Sequence, residues 1–397
     1  MSAAGGAAPP GRVVAPLYLA GFTTAFGAHG VAAALGAESE NIGLSLLTFG
    51  AILALYDIAE LILKPIFGSL SDRVGAKPVI LGGLVVFAIA SFCGIFAATP
   101  VWLAVVRLGQ GAAASAFSPA SSAAVARLAG PTMAGRYFGK YGSWKSLGYA
   151  LGPILGAGLI AVDGFRALFL ALAVLGGIAA IFVAVAVPRI PVLSRPHYTI
   201  ADLARQTVDP AFLVPTLVLA ASTGVLGVAV GFLPLLGSTL GLGVFGSMAA
   251  VTVLAVASTI IQPIIGRIRD SGRITTRAGT TTGLLVIGFG VGIVTLVPTA
   301  VTLYLAALLI GIGIGIATPL AFAHLAATTP PERVGRTMGN AELGREAGDA
   351  GGPLLVGAIA SATTLAAGLG VLALVTIGIA GVGASALRTP KPTTQDA

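Results

Sequence analysis

The sequence predicts an all-helical membrane protein with twelve transmembrane helices in two pseudo-symmetric six-helix bundles. Of the 397 residues, 56% are hydrophobic and only 9% are charged, which is too apolar for the surface of a soluble domain. Apolar stretches of about twenty residues, long enough to cross a hydrocarbon core of roughly 30 Å, recur along the whole chain. The second half also repeats the residue spacing of the first half.

Twelve apolar stretches are the candidate spans. They cover 13–35, 43–68, 78–98, 101–127, 138–162, 166–188, 211–235, 244–266, 277–297, 299–327, 338–362 and 366–387. The first six predict an N-terminal bundle over 13–188, and the last six predict a C-terminal bundle over 211–387. Residues 189–210 are then a linker between the bundles, and 1–12 and 388–397 are the tails.

The basic residues predict the orientation of the chain in the membrane. With the N-terminus in the cytoplasm, the basic residues at the helix ends and in the loops lie on the inner side except Arg166, at the outer end of the sixth span, which agrees with the positive-inside rule. We therefore expect both tails and the linker to be cytoplasmic and the protein to lie in the cell membrane. The net charge of +8 is spread over separate short loops, so it does not indicate nucleic-acid binding.

The two halves share a residue pattern that indicates a duplication. At an offset of 200 residues, eight positions between 131 and 153 align without a gap with equivalent residues between 331 and 353. At an offset of 198, the segment 65–72 matches 263–270. The matched residues of the second half include Asp270, Gly348, Gly352 and Pro353. This duplication predicts two parallel six-helix halves.

The turn between the second and third spans carries a Gly-x-x-x-Asp-Arg-x-Gly-x-Lys motif. Its residues are Gly68, Asp72, Arg73, Gly75 and Lys77. The motif resembles the signature of the major facilitator superfamily, a large family of secondary transporters. In that family the acid ties helix ends together on the cytoplasmic side, near the positive N-terminal end of a neighbouring helix. The resemblance therefore implies a gate role for this turn and for its repeat copy at Asp270.

A second motif lies in the fourth span. Arg107-Leu-Gly-Gln110-Gly111 resembles the Arg-x-x-Gln-Gly motif of proton-coupled members of the same superfamily. The resemblance implies that Arg107 is a candidate for proton coupling.

The fifth span carries a third motif. Gly148-x-x-x-Gly152-Pro153-x-x-Gly156 resembles the fifth-helix motif of antiporters, although Ala157 occupies its last glycine position. Glycines four residues apart also let helix backbones approach closely. These residues therefore have either a specific coupling role or only the role of packing helix five against the other half of the protein.

Ionisable residues inside the spans should face the protein interior, because charge is costly in lipid. On helix two, Asp57, Glu60 and Lys64 follow one face at i, i+3 and i+7. A second stripe lies on helix eleven: Glu342, Arg345, Glu346 and Asp349. In the resembled fold these two helices meet between the bundles, so we expect the stripes to face each other.

Depth in the membrane predicts the partners within the stripes. Counted from the cytoplasmic helix ends, Lys64 matches Glu342 and Glu60 matches Arg345, which predicts two ion pairs that close the inner side. Asp57 and Asp349 share a midplane level without a cation. Two carboxylates that share a low-dielectric cavity favour protonation of at least one of them. They are therefore the first candidates for proton carriers, ahead of Glu60, Glu346 and Arg107. The alternative is a static network that only holds the bundles together.

The resemblance and these charges together imply a secondary transporter and not an enzyme. We expect proton-coupled export of small hydrophobic or cationic compounds by alternating access, as in the drug:proton antiporters of the resembled family. The expected partners are a small-molecule substrate, protons and the lipid bilayer, and we expect a monomer that binds no nucleic acid. No cofactor is expected beyond the proton gradient, since neither a metal-ligand cluster nor a nucleotide-binding loop is evident.

Two other functions stay open from the sequence. One is a proton- or solute-coupled transporter of a metabolite, including an organic anion held by Arg107 and Lys145. The other is a non-transporting receptor or scaffold on the same fold, against which the duplicated gate motifs argue. His29, in the outer part of the first helix, is either a proton relay or a packing residue.

Overall fold

A computed structural model describes residues 11–38, 46–97, 99–190, 192 and 208–386. Within these residues the regular structure is helical, and no strand occurs among them. Both predicted tails, except for residues 11 and 12, and most of the predicted linker over 189–210 lie outside the described residues.

The first half is built from four long helices. They are α1 (Gly11–Glu38), α2 (Leu46–Val74), α3 (Ala76–Gly94) and α4 (Pro100–Ala186). Non-helical backbone angles at Gly130, and again at Asp163 and Gly164, divide α4 into three segments. We name them α4a (100–129), α4b (131–162) and α4c (165–186).

The second half contains six helices and one short turn. The helices are α5 (Pro210–Thr239), α6 (Gly243–Asp270), α7 (Thr276–Leu296), α8 (Ala300–Thr328), α9 (Val334–Ala362) and α10 (Leu365–Ala386). A 3-10 turn over Pro331–Arg333 precedes α9. The described residues thus contain twelve helical segments, one on each predicted span, and the predicted fold class is confirmed.

Threonine caps begin two of these helices at equivalent places in the repeat. The hydroxyl of Thr99 accepts from the backbone N–H of Trp102 at the start of α4a. Thr299, 200 residues later, accepts from the N–H of Thr302 at the start of α8. Each cap satisfies a backbone donor that has no partner within the helix.

Small residues set the helix crossings inside each bundle. A Cβ atom on Gly83 of α3 would lie 2.9 Å from the carbonyl oxygen of Ala113 in α4a. The equivalent Gly283 of α7 would place its Cβ 2.9 Å from the carbonyl oxygen of Gly313 in α8. Close backbone approach of this kind is typical of helix packing in lipid, and it recurs at the repeat offset of 200.

The outer surface of the bundles is strongly apolar. Large side chains such as Val185 and Leu296 are 81% and 82% exposed. Seven helical stretches among the described residues are long and apolar enough to cross a membrane, including the stretch Thr132–Ala186 that bends at Asp163. Such a surface suits lipid rather than water.

The two bundles touch at one end of the molecule. A Cβ atom on Gly68 of α2 would lie 2.7 Å from the carbonyl oxygen of Gly335 and 2.9 Å from Cα of Gly339 in α9. On the other side, Gly266 of α6 lies against the backbone of Gly135 in α4b. We call this end, which carries Asp72, Arg127, Arg136 and Asp270, the basic face.

The helices separate away from the basic face. Gly68 and Lys64 of α2 both contact α9, whereas Asp57, on the same side of α2 and two to three turns further from the basic face, is exposed. Among the described residues, the contacts of α2 with α9 thus lie toward the basic face, and we call the opposite end, at which Asp57 is exposed, the open end.

Candidate functional site

Asp72 joins the two bundles at the basic face. Its carboxylate accepts the backbone N–H of Gly335 at 2.7 Å and that of Arg336 at 2.8 Å, at the start of α9. Arg127 of α4a donates to the same carboxylate. A negative charge at a helix N-terminus is stabilised by the free N–H groups and by the helix dipole, so Asp72 binds the first turn of a helix in the other bundle.

Asp270 makes the mirror-related contact. It accepts the backbone N–H of Gly135 at 2.8 Å and that of Arg136 at 2.6 Å, in the first turns of α4b. Arg269 lies 3.2 Å from the same carboxylate. The duplicated acids therefore occupy equivalent positions, each placed on the first turns of a helix of the opposite bundle.

The other residues of the loop motif act within their own bundle. Gly75 has a φ of 95°, a backbone conformation that favours glycine. Lys77 donates to the carbonyl oxygen of Ala184 at 2.7 Å, and Arg73 is exposed. Of the predicted gate residues in this motif, Gly68 and Asp72 are the two that these contacts place against the other bundle.

Behind the basic face, α2 and α9 meet through charged side chains. Lys64 donates to Glu346 at 2.7 Å and lies 3.1 Å from Glu60, its neighbour one turn away on α2. Lys64 and Glu60 are 1% and 3% exposed. This contact, which we call the charged seam, links the bundles through a buried cation between two carboxylates.

Glu342 organises the rest of the charged seam. Its carboxylate lies 3.1 Å from Arg345 and 3.4 Å from Lys145 of α4b, and it accepts from Ser122 of α4a at 3.1 Å. Arg345 also lies 3.0 Å from Glu346 and donates to the hydroxyl of Tyr149 at 3.0 Å. Three carboxylates thus face three cations, so the seam is neutral when all six groups are ionised.

The helices α2 and α9 face each other, as the sequence predicts. The predicted ion pairs Lys64–Glu342 and Glu60–Arg345, however, are wrong. Glu342 is already held by two cations, one of them Lys145 from the fifth span. Lys64 therefore reaches Glu346, one turn further along α9, and Glu60 pairs within its own helix. The repeat aligns Lys145 with Arg345, and that alignment was the signal for the missed partner.

Asp57 and Asp349 stand apart from this network. Neither makes an ion pair with any residue that the structure describes. Asp57 is exposed and Asp349 is half-buried, and a Cβ atom on Gly227 of α5 would lie 2.7 Å from the Asp349 carboxylate. Both acids thus lie beyond the ion pairs of the charged seam, toward the open end, and a level without a cation stays a prediction.

A second, neutral seam joins α4b to α6. Gln262 donates to Ser146 at 2.7 Å and to Ser258 at 2.9 Å. Ser143 donates to the carbonyl oxygen of Thr259 at 2.7 Å. At the repeat offsets, Gln262 is equivalent to Lys64, and the two serines are equivalent to the two carboxylates beside that lysine. Sequence reasoning missed this seam because its residues carry no charge.

Arg107 lies inside the N-terminal bundle. Its guanidinium is 4.3 Å from the centre of the Tyr56 ring and donates to Gln110 at 3.2 Å, and the arginine is 2% exposed. Gln110 in turn donates to Ser91 at 2.8 Å. Arg107 therefore does not join Lys145 in the cavity between the bundles described below, which removes the predicted anion clamp made of those two residues.

The glycines of the fifth-helix motif pack within one bundle. Cβ atoms on Gly148 and Gly156 would lie 2.7 and 2.9 Å from carbonyl oxygens of α1. The repeat copies Gly348 and Gly352 lie against α5. The prediction that these glycines pack helix five against the other half of the protein is therefore wrong, because helix five is α4b and its glycine side faces α1. Pro153 and Pro353 lie within α4b and α9 next to these crossings.

A cavity lies between the bundles beside the neutral seam. Phe138 of α4b and Phe322 of α8 stack at 5.4 Å between ring centres and close it toward the basic face. The lining comprises Phe138, Tyr141, Gly142, Lys145, Ser146, Tyr149, Thr223, Leu226, Gln262, Ile314, Thr318, Phe322 and Arg345. Both bundles therefore contribute polar and aromatic groups to one cavity.

His29 touches this region through Tyr149. The two rings are perpendicular, with their centres 4.4 Å apart, and Nδ1 of His29 lies 3.2 Å from the carbonyl oxygen of Ala25. No group of three or more potential metal ligands comes together in the described part of the chain.

An all-helical membrane protein with two equivalent bundles, acids capping helices across the bundle interface and a central cavity has the architecture of a membrane carrier. Residues 17–353 match the Major Facilitator Superfamily. The chain belongs to this superfamily, and it is a multi-pass membrane transporter and not an enzyme.

Known proteins resemble the chain in sequence or in fold. Multidrug resistance protein MdtG of Enterobacter lignolyticus (strain SCF1) is 33% identical over 130 residues, which is 33% of this chain and 31% of MdtG. The match thus spans about a third of that relative's length. Two solved structures agree in fold, namely the human organic anion transporter MFSD10 (TETRAN) and the transporter FucP in the outward conformation. Their TM-scores are both 0.80 at 17% and 14% identity, and the alignments cover 94% and 95% of this chain and 100% and 99% of theirs.

Proposed function

We propose that this protein is a proton-coupled antiporter that exports small hydrophobic or cationic compounds across the cell membrane. The basic face is the cytoplasmic face in this proposal, as the distribution of Lys and Arg predicts. The described structure is then the state that is closed to the cytoplasm and open to the outside.

The observation that carries the proposal is the charge pattern along α2 and α9. The six charges of the charged seam sum to zero. They are Glu60, Lys64, Lys145, Glu342, Arg345 and Glu346. Asp57 and Asp349, in contrast, form no ion pair with a described residue. An unpaired carboxylate is costly to enclose when the outer side closes. A proton or a cationic substrate removes that cost, so the two can exchange at the same acids.

Alternating access follows from the basic-face contacts. Asp72 and Asp270 hold the basic face closed through backbone N–H groups of the opposite bundle. Inward opening must break these contacts and separate the charged seam. Protonation of a carboxylate in or next to that seam changes its balance of charge and thereby biases the equilibrium between the two states.

The similarity to MdtG supports export of drugs, but it does not identify the substrate of this protein. The MdtG protein is named for multidrug resistance, but it matches about a third of this chain. The expected substrate class therefore depends on the acids at the open end rather than on the name of a relative.

A second candidate function is transport of an organic anion. The observation that favours it is the pair of cations, Lys145 and Arg345, which line the cavity while the carboxylate of Glu342 is fully buried behind them. The human protein of the same fold is described as an organic anion transporter.

Transport by the purified protein in liposomes tests the proposal. We expect an acidic interior to drive accumulation of a lipophilic cation such as ethidium, because an antiporter exchanges outgoing protons for incoming substrate. Asp57→Asn or Asp349→Asn should abolish this accumulation and spare exchange of labelled for unlabelled substrate without a gradient. Asp163→Asn, at the opposite end from the basic face and exposed, is the matched control. Accumulation driven instead by an alkaline interior, or retained in both variants, would contradict the proposal.

A further inference from the structure

The sign of the charged groups changes between the open end, where Asp57 and Asp349 lie outside the cavity lining, and the cavity itself. Lys145 and Arg345 line it near the neutral seam. Asp349 lies four residues beyond Arg345 on α9, which is about 6 Å further toward the open end. Asp57 of α2 is exposed at that end as well. A solute that enters from the open end therefore meets carboxylates first and cations one helical turn deeper.

Lys145 is available to a ligand. Its ammonium carries three N–H donors, but it makes one ion pair in the described structure, at 3.4 Å with Glu342. The carboxylate of Glu342 also serves Arg345 and Ser122 at 3.1 Å each. The lysine thus shares its partner and retains donors toward the cavity.

Two further polar atoms of the lining have no hydrogen-bond partner. They are Oε1 of Gln262 and Oγ1 of Thr318. Gln262 is 1% exposed, and its Oε1 occupies the space that a side chain at Gly142 would fill. Buried polar atoms without partners are rare in proteins unless water or a ligand satisfies them. These two atoms can therefore accept or donate a hydrogen bond to water or to a polar group of a ligand in the cavity.

We infer that the preferred substrates are zwitterionic aromatic compounds, with the anionic group on Lys145 and the cationic group on Asp57 and Asp349. Tyr149 and Leu226, which line the cavity on the open side of Lys145, supply the apolar surface for the aromatic body. The inference rests on the proposed function and narrows its substrate class. A substrate ammonium on the two acids competes there with protons, and the anionic group accepts hydrogen bonds from the remaining donors of Lys145.

Three small probes separate the charge requirements. 4-(Aminomethyl)benzoate carries both charges, its methyl ester carries only the cation, and 4-methylbenzoate carries only the anion. Binding is measured by equilibrium dialysis of labelled probes against the full chain in lipid nanodiscs. We expect the zwitterion to bind at least roughly tenfold more tightly than either singly charged probe, since each lost ion pair costs about that factor.

Variants of Lys145 and Asp349 test which residue binds each end of the zwitterionic probe. Lys145→Gln should remove the advantage of the zwitterion over the ester, and Lys145→Arg should keep it. Asp349→Asn should reduce its advantage over 4-methylbenzoate. The matched control is Lys140→Gln, at an exposed position on the same helix, and it should leave all three affinities unchanged. If Lys145→Gln does not fold, the comparison of the three probes on the unaltered protein still tests the inference.

Equal binding of the three probes, binding of none, or a preference that does not depend on Lys145 would overturn the inference. The proposed function fails by a different result, namely no accumulation of ethidium or of any bound probe under an acidic interior. Accumulation of the ester without preference for the zwitterion would leave the proposed function standing and remove the inference alone.

Discussion

Lys64 and Gln262 are equivalent residues of the repeat. Comparing them shows what charged side chains contribute to the contact between the bundles. Each reaches across one seam to a side chain of the opposite bundle, Glu346 and Ser146, and both contacts measure 2.7 Å. The neutral seam closes with the same geometry as the charged one, so closure itself needs no charge. Burying ions costs several kcal/mol each, and retention of charge in one seam supports a role in coupling.

Depth along α2 and α9 predicted five residues of the charged seam, Glu60, Lys64, Glu342, Arg345 and Glu346, but not Lys145. It was not enough to predict the pairs, because a lysine spans more than one helical turn and Glu342 can bind several cations. The role of Lys145 depends on a helix from a different part of the chain. The choice between partners is therefore made by three-dimensional packing, which residue spacing along α2 and α9 does not contain.

The first prediction compares breaking the charged seam with neutralising it. Lys64→Gln should lower the stability of the folded protein by about 3–5 kcal/mol, because it leaves buried Glu60 without its cation. The triple variant Glu60→Ser, Lys64→Gln, Glu346→Ser copies the neutral seam and should recover most of that loss. Unfolding midpoints in detergent measure both. If the triple variant also transports uphill as the native protein does, the seam is only a structural contact.

The second prediction concerns Asp72. Asp72→Asn keeps one acceptor oxygen but loses the charge that binds the start of α9. A hydrogen bond to a charged group contributes about 1.5–3 kcal/mol, so the closed state should lose a factor of roughly ten to a hundred in population. Turnover should fall by at least roughly tenfold, with a smaller change in substrate affinity. Unchanged turnover, with Asp163→Asn as the reference, would exclude the gate role.

At the scale of helices, the apolar runs predicted every described segment, since length and hydrophobicity decide whether a helix crosses lipid. The breaks inside α4 fall at Gly130 and at Asp163–Gly164, between predicted spans. The neighbours of the glycine-rich helices were harder to predict. Glycines four residues apart indicate a close crossing, but they do not say which helix crosses there, and Gly148 meets α1 rather than the other bundle.

The third prediction uses one such crossing. Gly68→Leu places a side chain where α9 leaves no space, at a cost of about 1–3 kcal/mol, and should open the basic face. In a Cys93→Ser background, spin labels at Val74→Cys and Ser271→Cys, both exposed at that face, should move apart. Gly82→Leu is the matched control, because no atom lies within 4 Å of a Cβ there. An unchanged distance would mean that this crossing does not hold the basic face closed.

The fourth prediction separates packing from coupling in the fifth-helix motif. Gly148→Val should lower the unfolding midpoint, because its Cβ would lie 2.7 Å from both a side chain and a backbone oxygen of α1. Gly158→Val, in open space on the same helix, should not. If Gly148→Val keeps native stability but loses gradient-driven transport, the motif has a coupling role beyond the packing seen here.

At the scale of the whole molecule, the two bundles close on one face and separate toward the other. Both closing acids, Asp72 and Asp270, lie on the basic face and each binds the opposite bundle. Which compartment the open end faces depends on the orientation in the membrane, which the distribution of basic residues predicts. The duplication explains the symmetry of the closure, whereas the direction of transport depends on orientation and coupling together.

The fifth prediction tests the orientation directly. In a Cys93→Ser background, Asp163→Cys at the open end should react with a membrane-impermeant maleimide on intact cells. Ser271→Cys at the basic face should react only after the cells are permeabilised. Both positions are exposed, so a difference in labelling reports the side of the membrane and not burial. The reverse pattern would place the basic face outside. The described state would then be open to the cytoplasm, and Asp72 and Asp270 would close an outer gate.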